Sequence, residues 1–245
     1  MRDEVWAALR RVGAARFPGA EGRIPNFVGA EAAADRLRDR REWHGATTVK
    51  ANPDSPQLPV RRRALEDGKT LFMAVPRLAD ARPFFRLDPA ALPVAPRQAA
   101  SIGGASRYGE PVELEDVEPV DLVVAGCVAV SADGARLGKG GGFSDLEYAL
   151  GGAYGLIGPR TVVATTVHDV QVVDAGRIPV TPHDFRLDLI VTPERVIECP
   201  RRRRAAPRVR WDELTEEKIA AVPVLGRLRE GSGGSATGTP RRRRG

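Results

Sequence analysis

A chain of 245 residues is long enough for one large α/β domain or two small ones, each with a true core. Its 42% apolar and 29% charged residues fit a soluble globular protein, with no apolar run of membrane-spanning length and no secretory leader, so no membrane partner and a cytoplasmic location are expected. Two cysteines, Cys127 and Cys199, exclude a disulfide framework, and the net charge of +6 raises the question of nucleic acid.

In chain order, apolar spacing at Val5, Trp6, Ala8, Leu9 and Val12 predicts an amphipathic helix over 3–15, with Gly13 near its end. Ile24-Pro25-Asn26-Phe27 must be extended or turning, because a residue before proline avoids helix. A second helix is expected over 30–38. A short β-branched strand follows over 47–50, a loop over 53–59, a helix over 60–66 and a buried strand over 70–75. This alternation of strand, helix and strand indicates a parallel sheet with crossover helices.

Residues 82–96 are proline-rich and read as irregular structure over the body. The apolar run 121–130 reads as a strand, 146–150 as a helix, and 161–167 and 187–191 as further strands. Arg195 to Glu198 suits a terminal hairpin strand. Thr215 is a plausible cap for a helix over 215–221, with a second short helix over 222–228 divided from it by Pro223. The expected organisation is a domain over 1–229 followed by a disordered Gly/Ser- and Arg-rich tail over 230–245.

The positive charge is concentrated in two runs. Arg241 to Arg244 and Arg201 to Arg204 carry four charges each, so the remainder of the chain sums to −2. Such a tail can bind phosphate backbones by releasing counterions. The reading adopted is a solvated end, and nucleic acid is not favoured as a partner. Arg61-Arg62-Arg63 on its helix likewise reads as a solvated face, and His44 as a surface or boundary residue.

The stretch Arg136-Leu137-Gly138-Lys139-Gly140-Gly141-Gly142-Phe143-Ser144-Asp145 carries the most chemical information. Glycines at 138, 140 and 142 let the backbone approach a phosphate closely, and the helix that follows aims free N–H groups at the same place. Lys139 offers a mobile cation and Asp145 a hard oxygen suited to magnesium, with a helix N-cap as its structural alternative. The loop is not a Walker A motif, since no Gly-Lys-Ser/Thr closes it. Two His-Asp pairs, His168-Asp169 and His183-Asp184, follow extended segments where ligands gather in open α/β sheets; a structural turn is the preferred role for each.

Taken together, Arg136 to Asp145, Val120 to Val124 with Asp133-Gly134, and His183-Asp184 through Thr192 resemble the signatures of 5-formyltetrahydrofolate cyclo-ligases. Further stretches resemble the divergent methenyltetrahydrofolate synthetase domain-containing branch of that family. They are Arg23 to Phe27, Val49-Lys50 with Pro53-Asp54, the Asp-Leu-Glu-Tyr-Ala ending at 145–149, and Val167-His168-Asp169 with Gln171 to Asp174. The resemblance spans about residues 1–225. It implies a three-layer, Rossmann-like α/β fold of the NagB/RpiA/CoA-transferase type, with a mostly parallel sheet and a monomeric state.

The activity implied is ATP- and Mg2+-dependent conversion of 5-formyltetrahydrofolate to 5,10-methenyltetrahydrofolate. Gly138 to Ser144 would bind ATP, Lys139 and Asp145 would be catalytic, Asp145 would hold the metal, and Lys50, Asp54 and His183 would contact the reduced folate.

The chain also departs from the family pattern. Phe143 and Ser144 stand where tyrosines are usual, and Leu146 where arginine is common. No N-terminal Lys-x-x-Leu-Arg occurs; Arg2, or Arg10 with Arg11, could substitute, but a solvated helix face is the preferred reading of each. Pro56 occupies the position of a folate-binding glutamate. Two alternatives therefore stand beside the cyclo-ligase reading. One is a non-catalytic protein of the same fold that binds nucleotide, folate or RNA; the other is an ATP-dependent enzyme acting on another pterin-like substrate.

Overall fold

The computed structural model describes residues 1–181, 184–200 and 207–233, with Ser232 and Gly233 described by backbone alone. His183, Arg201 to Arg204 and Arg241 to Arg244 lie outside the described residues.

The elements in chain order are α1 (Arg2–Arg11), α2 (Ala30–Arg38), α3 (Arg41–His44), β1 (Thr48–Ala51), α4 (Leu58–Glu66), β2 (Thr70–Ala74), β3 (Phe84–Leu87), α5 (Pro96–Ala99) and α6 (Ile102–Tyr108). They continue with β4 (Glu110–Val112), β5 (Leu122–Val124), β6 (Ala129–Ser131), β7 (Arg136–Leu137), α7 (Phe143–Ala153), β8 (Val162–Thr166), β9 (Val172–Val173), β10 (Leu189–Val191), β11 (Val196–Glu198), α8 (Glu216–Ala221) and α9 (Pro223–Gly233).

One eight-stranded sheet runs in the order β11-β10-β8-β5-β1-β2-β3-β4. The five strands β10, β8, β5, β1 and β2 pair in parallel, and the outer strands β11, β3 and β4 are antiparallel. The mostly parallel sheet expected from the sequence is therefore present.

Period-two alternation along the central strands divides the core into two faces. Leu71 and Met73 of β2, Val49 and Ala51 of β1, and Leu122 and Val124 of β5 pack against α2 and α4. Phe72, Ala74, Val123 and Val163 face the other way, against Leu146 and Leu150 of α7 and Val224 and Leu225 of α9. The result is three layers, with both faces of the sheet covered as a parallel sheet requires. A smaller sheet, β7-β6-β9, sits under α1, which buries Val5, Trp6 and Leu9 against Val128 and Ala129.

Several expectations are corrected. The proline-rich segment contains β3, because Pro83 and Pro89 bracket the strand without entering it, and Val75 N–H bonds the Pro83 carbonyl at 2.9 Å. The run 121–130 is two strands in different sheets. Helix α9 continues to Gly233, so the boundary set at 230 falls within a helix.

Arg61 and Arg63 are buried rather than solvated. Arg61 donates to the carbonyls of Ala100, Asn52 and Asp54 at 2.8, 2.5 and 2.9 Å, and burial pushes its pKa down to about 10. Arg63 reaches Asp35 and Glu31 on α2. No helix among the described residues is long and apolar enough to cross a membrane.

Candidate functional site

Along the sheet, β1 leads outward to β2 on one side, while β5 leads to β8 on the other. The reversal opens a crevice at the C-terminal ends of β1 and β5, the position where open α/β sheets bind ligands. A cleft of about 480 Å³ lies there. Asn52 and Asp54 after β1, Arg77 after β2, and Gly126 after β5 form one wall, and Gly138 to Asp145 form the other.

The glycine loop takes the shape its sequence predicts. Gly140 and Gly142 have φ of 108° and 67°, in the left-handed region that side chains disfavour. Gly142 is the N-cap of α7 and makes no side-chain cap bond, so Asp145 lies within the first turn and is not the cap. The cap alternative for Asp145 is thereby removed. Its carboxylate lies near the positive end of α7 and accepts from Arg136, whose guanidinium is buried 3.7 Å from the Phe185 ring centroid. Arg2 of α1 donates to the Gly138 carbonyl at 2.7 Å, bringing the N-terminal helix to the loop.

Of the residues expected to contact folate, Asp54 lines the cleft and Lys50 lies beneath it. Lys139 and Asp54, 85 residues apart, pair at 3.4 Å across its mouth. On β1, Lys50 faces α7, opposite in sense to Val49, and forms a buried ion pair with Glu147. Lys50 also donates to Asn52 Oδ1 at 3.2 Å, and Asn52 donates to Ser144 Oγ at 2.9 Å. The floor is therefore a continuous polar chain from Lys50 to the glycine loop.

Pro56 is buried in the 3-10 turn Ser55–Gln57 and lies outside the cleft lining. His168 accepts from the Val170 N–H at 3.2 Å in a capping box with Gln171, the structural role preferred for it. His44 is exposed, as expected.

Sequence reading missed Glu147, Arg77 and Lys218. Glu147 is one of two acids on α7, and the inward side of that helix is set only by tertiary packing. Arg77 projects from a turn with φ of 58°, beside Leu78 at 55°. Lys218 reaches the loop from far along the chain, donating to the Gly141 carbonyl at 3.0 Å. Its one usable signal was Thr215, whose hydroxyl caps α8 as expected.

A balance of charge follows from these pairings. Asp54, Asp145 and Glu147 are matched by Lys139, Arg136 and Lys50. Arg2, Arg77 and Lys218 have no carboxylate partner among the described residues. The site carries surplus positive charge around backbone amides, the electrostatic form of an anion site.

Comparisons with known proteins agree with this architecture. The model of the 5-formyltetrahydrofolate cyclo-ligase family matches residues 1–193. The chain is 40% identical over 233 residues to the "Methenyltetrahydrofolate synthase domain-containing protein" of Mus musculus, covering 94% of this chain and 62% of that protein. The protein of the same name from Homo sapiens is 37% identical over 232 residues, with 94% and 60% covered. The chain thus spans about three-fifths of the length of these relatives. A solved Aquifex aeolicus 5,10-methenyltetrahydrofolate synthetase shares the fold, with a TM-score of 0.52 at 22% identity over 83% of this chain and 95% of that one. The chain belongs to the 5-formyltetrahydrofolate cyclo-ligase family.

Proposed function

We propose that this chain closes 5-formyltetrahydrofolate to 5,10-methenyltetrahydrofolate at the expense of ATP with Mg2+. The observation that carries the reading is the surplus of cations with no carboxylate partner among the described residues around a glycine loop at the switch point of the sheet. A polyphosphate matches that surplus, and membership of the family supplies the folate.

In the reaction proposed, the formyl oxygen attacks the γ-phosphorus, an O–P bond forms and ADP leaves. The second folate nitrogen then attacks the activated formyl carbon, loses its proton and expels inorganic phosphate. The chain's contribution is positioning and charge neutralisation. Amides of Gly140 to Gly142 and the Lys139 ammonium would hold the phosphates, with Phe143 and Ser144 beside them. Lys139 can exchange Asp54 for a phosphate, since half of its side chain is already exposed. Asp54, once released, faces the substrate side, and Lys50 fixes the floor.

Magnesium fits the residues present in one manner. No group of three or more His, Cys, Asp or Glu side chains capable of holding a metal occurs among the described residues. An ion held by one carboxylate together with phosphate oxygens is a common magnesium arrangement, and Asp145 would be that carboxylate. When bound, the ion would neutralise charge on the phosphates.

A second reading is a nucleotide-binding protein that does not turn over this folate, or acts on another pterin-like substrate. It is favoured by Pro56, buried away from the cleft where the family pattern places a folate-binding glutamate.

Optical detection of the conjugated methenyl product, with ADP measured in parallel, separates the readings. Product and ADP in equal amounts are expected, and Gly140→Val should abolish both in a folded protein, because its φ of 108° excludes a β-branched residue. Protein that binds ATP but yields no methenyl product at high enzyme concentration would reject the cyclo-ligase reading in favour of the second.

A further inference from the structure

The family model ends at residue 193, but the contacts made to the glycine loop do not: Lys218 lines a second pocket that shares Gly141, Gly142 and Asp145 with the cleft. Helix α8 returns to the glycine loop and presents Lys218. Its Nζ donates to the Gly141 carbonyl at 3.0 Å and stands 3.3 Å from the centroid of the Phe143 ring. The position is imposed by packing. Ile219, the next residue, is buried in the core on the α7 side of the sheet, and the Thr215 hydroxyl accepts from the Lys218 N–H at 3.1 Å.

A carbonyl and an aromatic face solvate an ammonium only partly. No carboxylate among the described residues completes the shell of this half-buried one. Across the loop, Arg77 lines the cleft that shares Gly141 and Gly142 with the Lys218 pocket. Burial first, and then the charge of Arg77, hold the Lys218 pKa below the ordinary lysine value. Arg77 lines the cleft from a left-handed turn anchored by the fully buried Leu78. Two like charges beside the same glycine loop are unfavourable until an anion offsets them.

We propose that Lys218 is a phosphate ligand of the cleft, forming with Arg77 a jaw opposite Lys139 that closes on the terminal phosphates of a nucleoside polyphosphate. The inference rests on the nucleotide reading above and extends it: the segment beyond the family-matched region completes the binding site. Phe143 gains a purpose in this arrangement, because its unsubstituted ring supports the ammonium when no phosphate is present. On binding, Lys218 trades the Gly141 carbonyl for a phosphate oxygen, a charge-assisted bond of greater strength.

Calorimetric titration of the full chain with Mg-ATP, AMP and inorganic tripolyphosphate tests this, using Lys218→Met, Lys218→Gln and Lys218→Arg. Lys218→Met is expected to lose about tenfold or more in affinity for ATP and tripolyphosphate, and less than about twofold for AMP. Lys218→Gln keeps a donor for Gly141 without the charge, so it should show the same selective loss even if Lys218→Met proves unstable. Lys218→Arg should recover most of the affinity. A lysine that only braces the loop would leave Lys218→Gln binding ATP normally, or would weaken all three ligands alike; either result overturns the proposal. If the unmodified chain binds neither ATP nor tripolyphosphate, the nucleotide reading fails and this proposal fails with it. Binding that Lys218→Gln leaves unchanged removes the proposal alone.

Discussion

On the floor of the cleft, the Lys50 and Glu147 side chains are each only 7% exposed, whereas at the rim the Lys139 side chain is 50% exposed beside Asp54. Both pairs join β1, or the turn after it, to the glycine loop and its helix, yet their physics differs. Charges removed from water must keep their partners, so the floor pair is committed to the fold. A solvated pair contributes little to stability and can be exchanged at small cost. The chain uses the first to hold its walls in register and leaves the second available to a ligand.

The largest effect that could break this contrast is at the floor. Glu147→Ala should cost about 3–5 kcal/mol in urea unfolding by stranding the Lys50 ammonium, and adding Lys50→Met should recover much of that loss. A cost below about 1 kcal/mol would show that the floor pair is as loosely held as the rim pair.

Asp121, at the opposite end of the strands, asks whether hydrogen bonding outside the cleft confers the same commitment. It accepts from the N–H groups of Thr47 and Thr48 and from both hydroxyls, at 2.8–3.1 Å. Burial alone would raise its pKa, but these four donors outweigh burial and hold it below 3.8. A lowered folded-state pKa means that the stabilisation is present above the unfolded value and is lost as pH falls through the folded one. Asp121→Ala should therefore cost about 1–3 kcal/mol at pH 7, and the gap to the unmodified protein should narrow below about pH 4. A gap that does not change with pH would mean that the carboxylate charge is not what matters.

At the rim, Lys139→Ala should change stability by less than about 0.5 kcal/mol. The same substitution should weaken Mg-ATP binding by about 1–3 kcal/mol in calorimetry. Equal affinity in the two proteins would remove Lys139 from the ligand's path and leave it a surface residue.

The sequence made some of this legible because certain signals are local. Helix α2 runs from Ala30 to Arg38 as predicted, the Thr215 cap forms, and Val196 to Glu198 closes a hairpin on β10. The glycine loop was visible for the same reason: its glycines, Lys139 and Asp145 lie within one short run of residues. The floor pair was not, because Lys50, though singled out in the sequence, and Glu147 are 97 positions apart and nothing local marks them as partners. The turn at Gly126 was also hidden inside an apolar run. A Cβ there would come within 2.9 Å of Asp54 Oδ2, 3.0 Å of Gln57 Oε1 and 3.1 Å of Ile24 Cγ2, so the residue is small because two other segments crowd it. Arg61 was misjudged for a similar reason, since three carbonyls, two from the loop after β1 and one from Ala100, converge on it to replace water.

Both margins of the large sheet end in three-residue antiparallel strands, β4 and β11. A strand so short offers few unpaired amides to a passing chain, and β4 spends one of its three positions on Pro111, which has no N–H to give. The other margin carries Glu198, bound to Arg40, so an approaching strand would meet charge rather than apolar surface. The consequence is colloidal. Five parallel strands rich in valine and leucine would be a strong template for aggregation if exposed, and the fold closes that template at each end with a segment that does not propagate it.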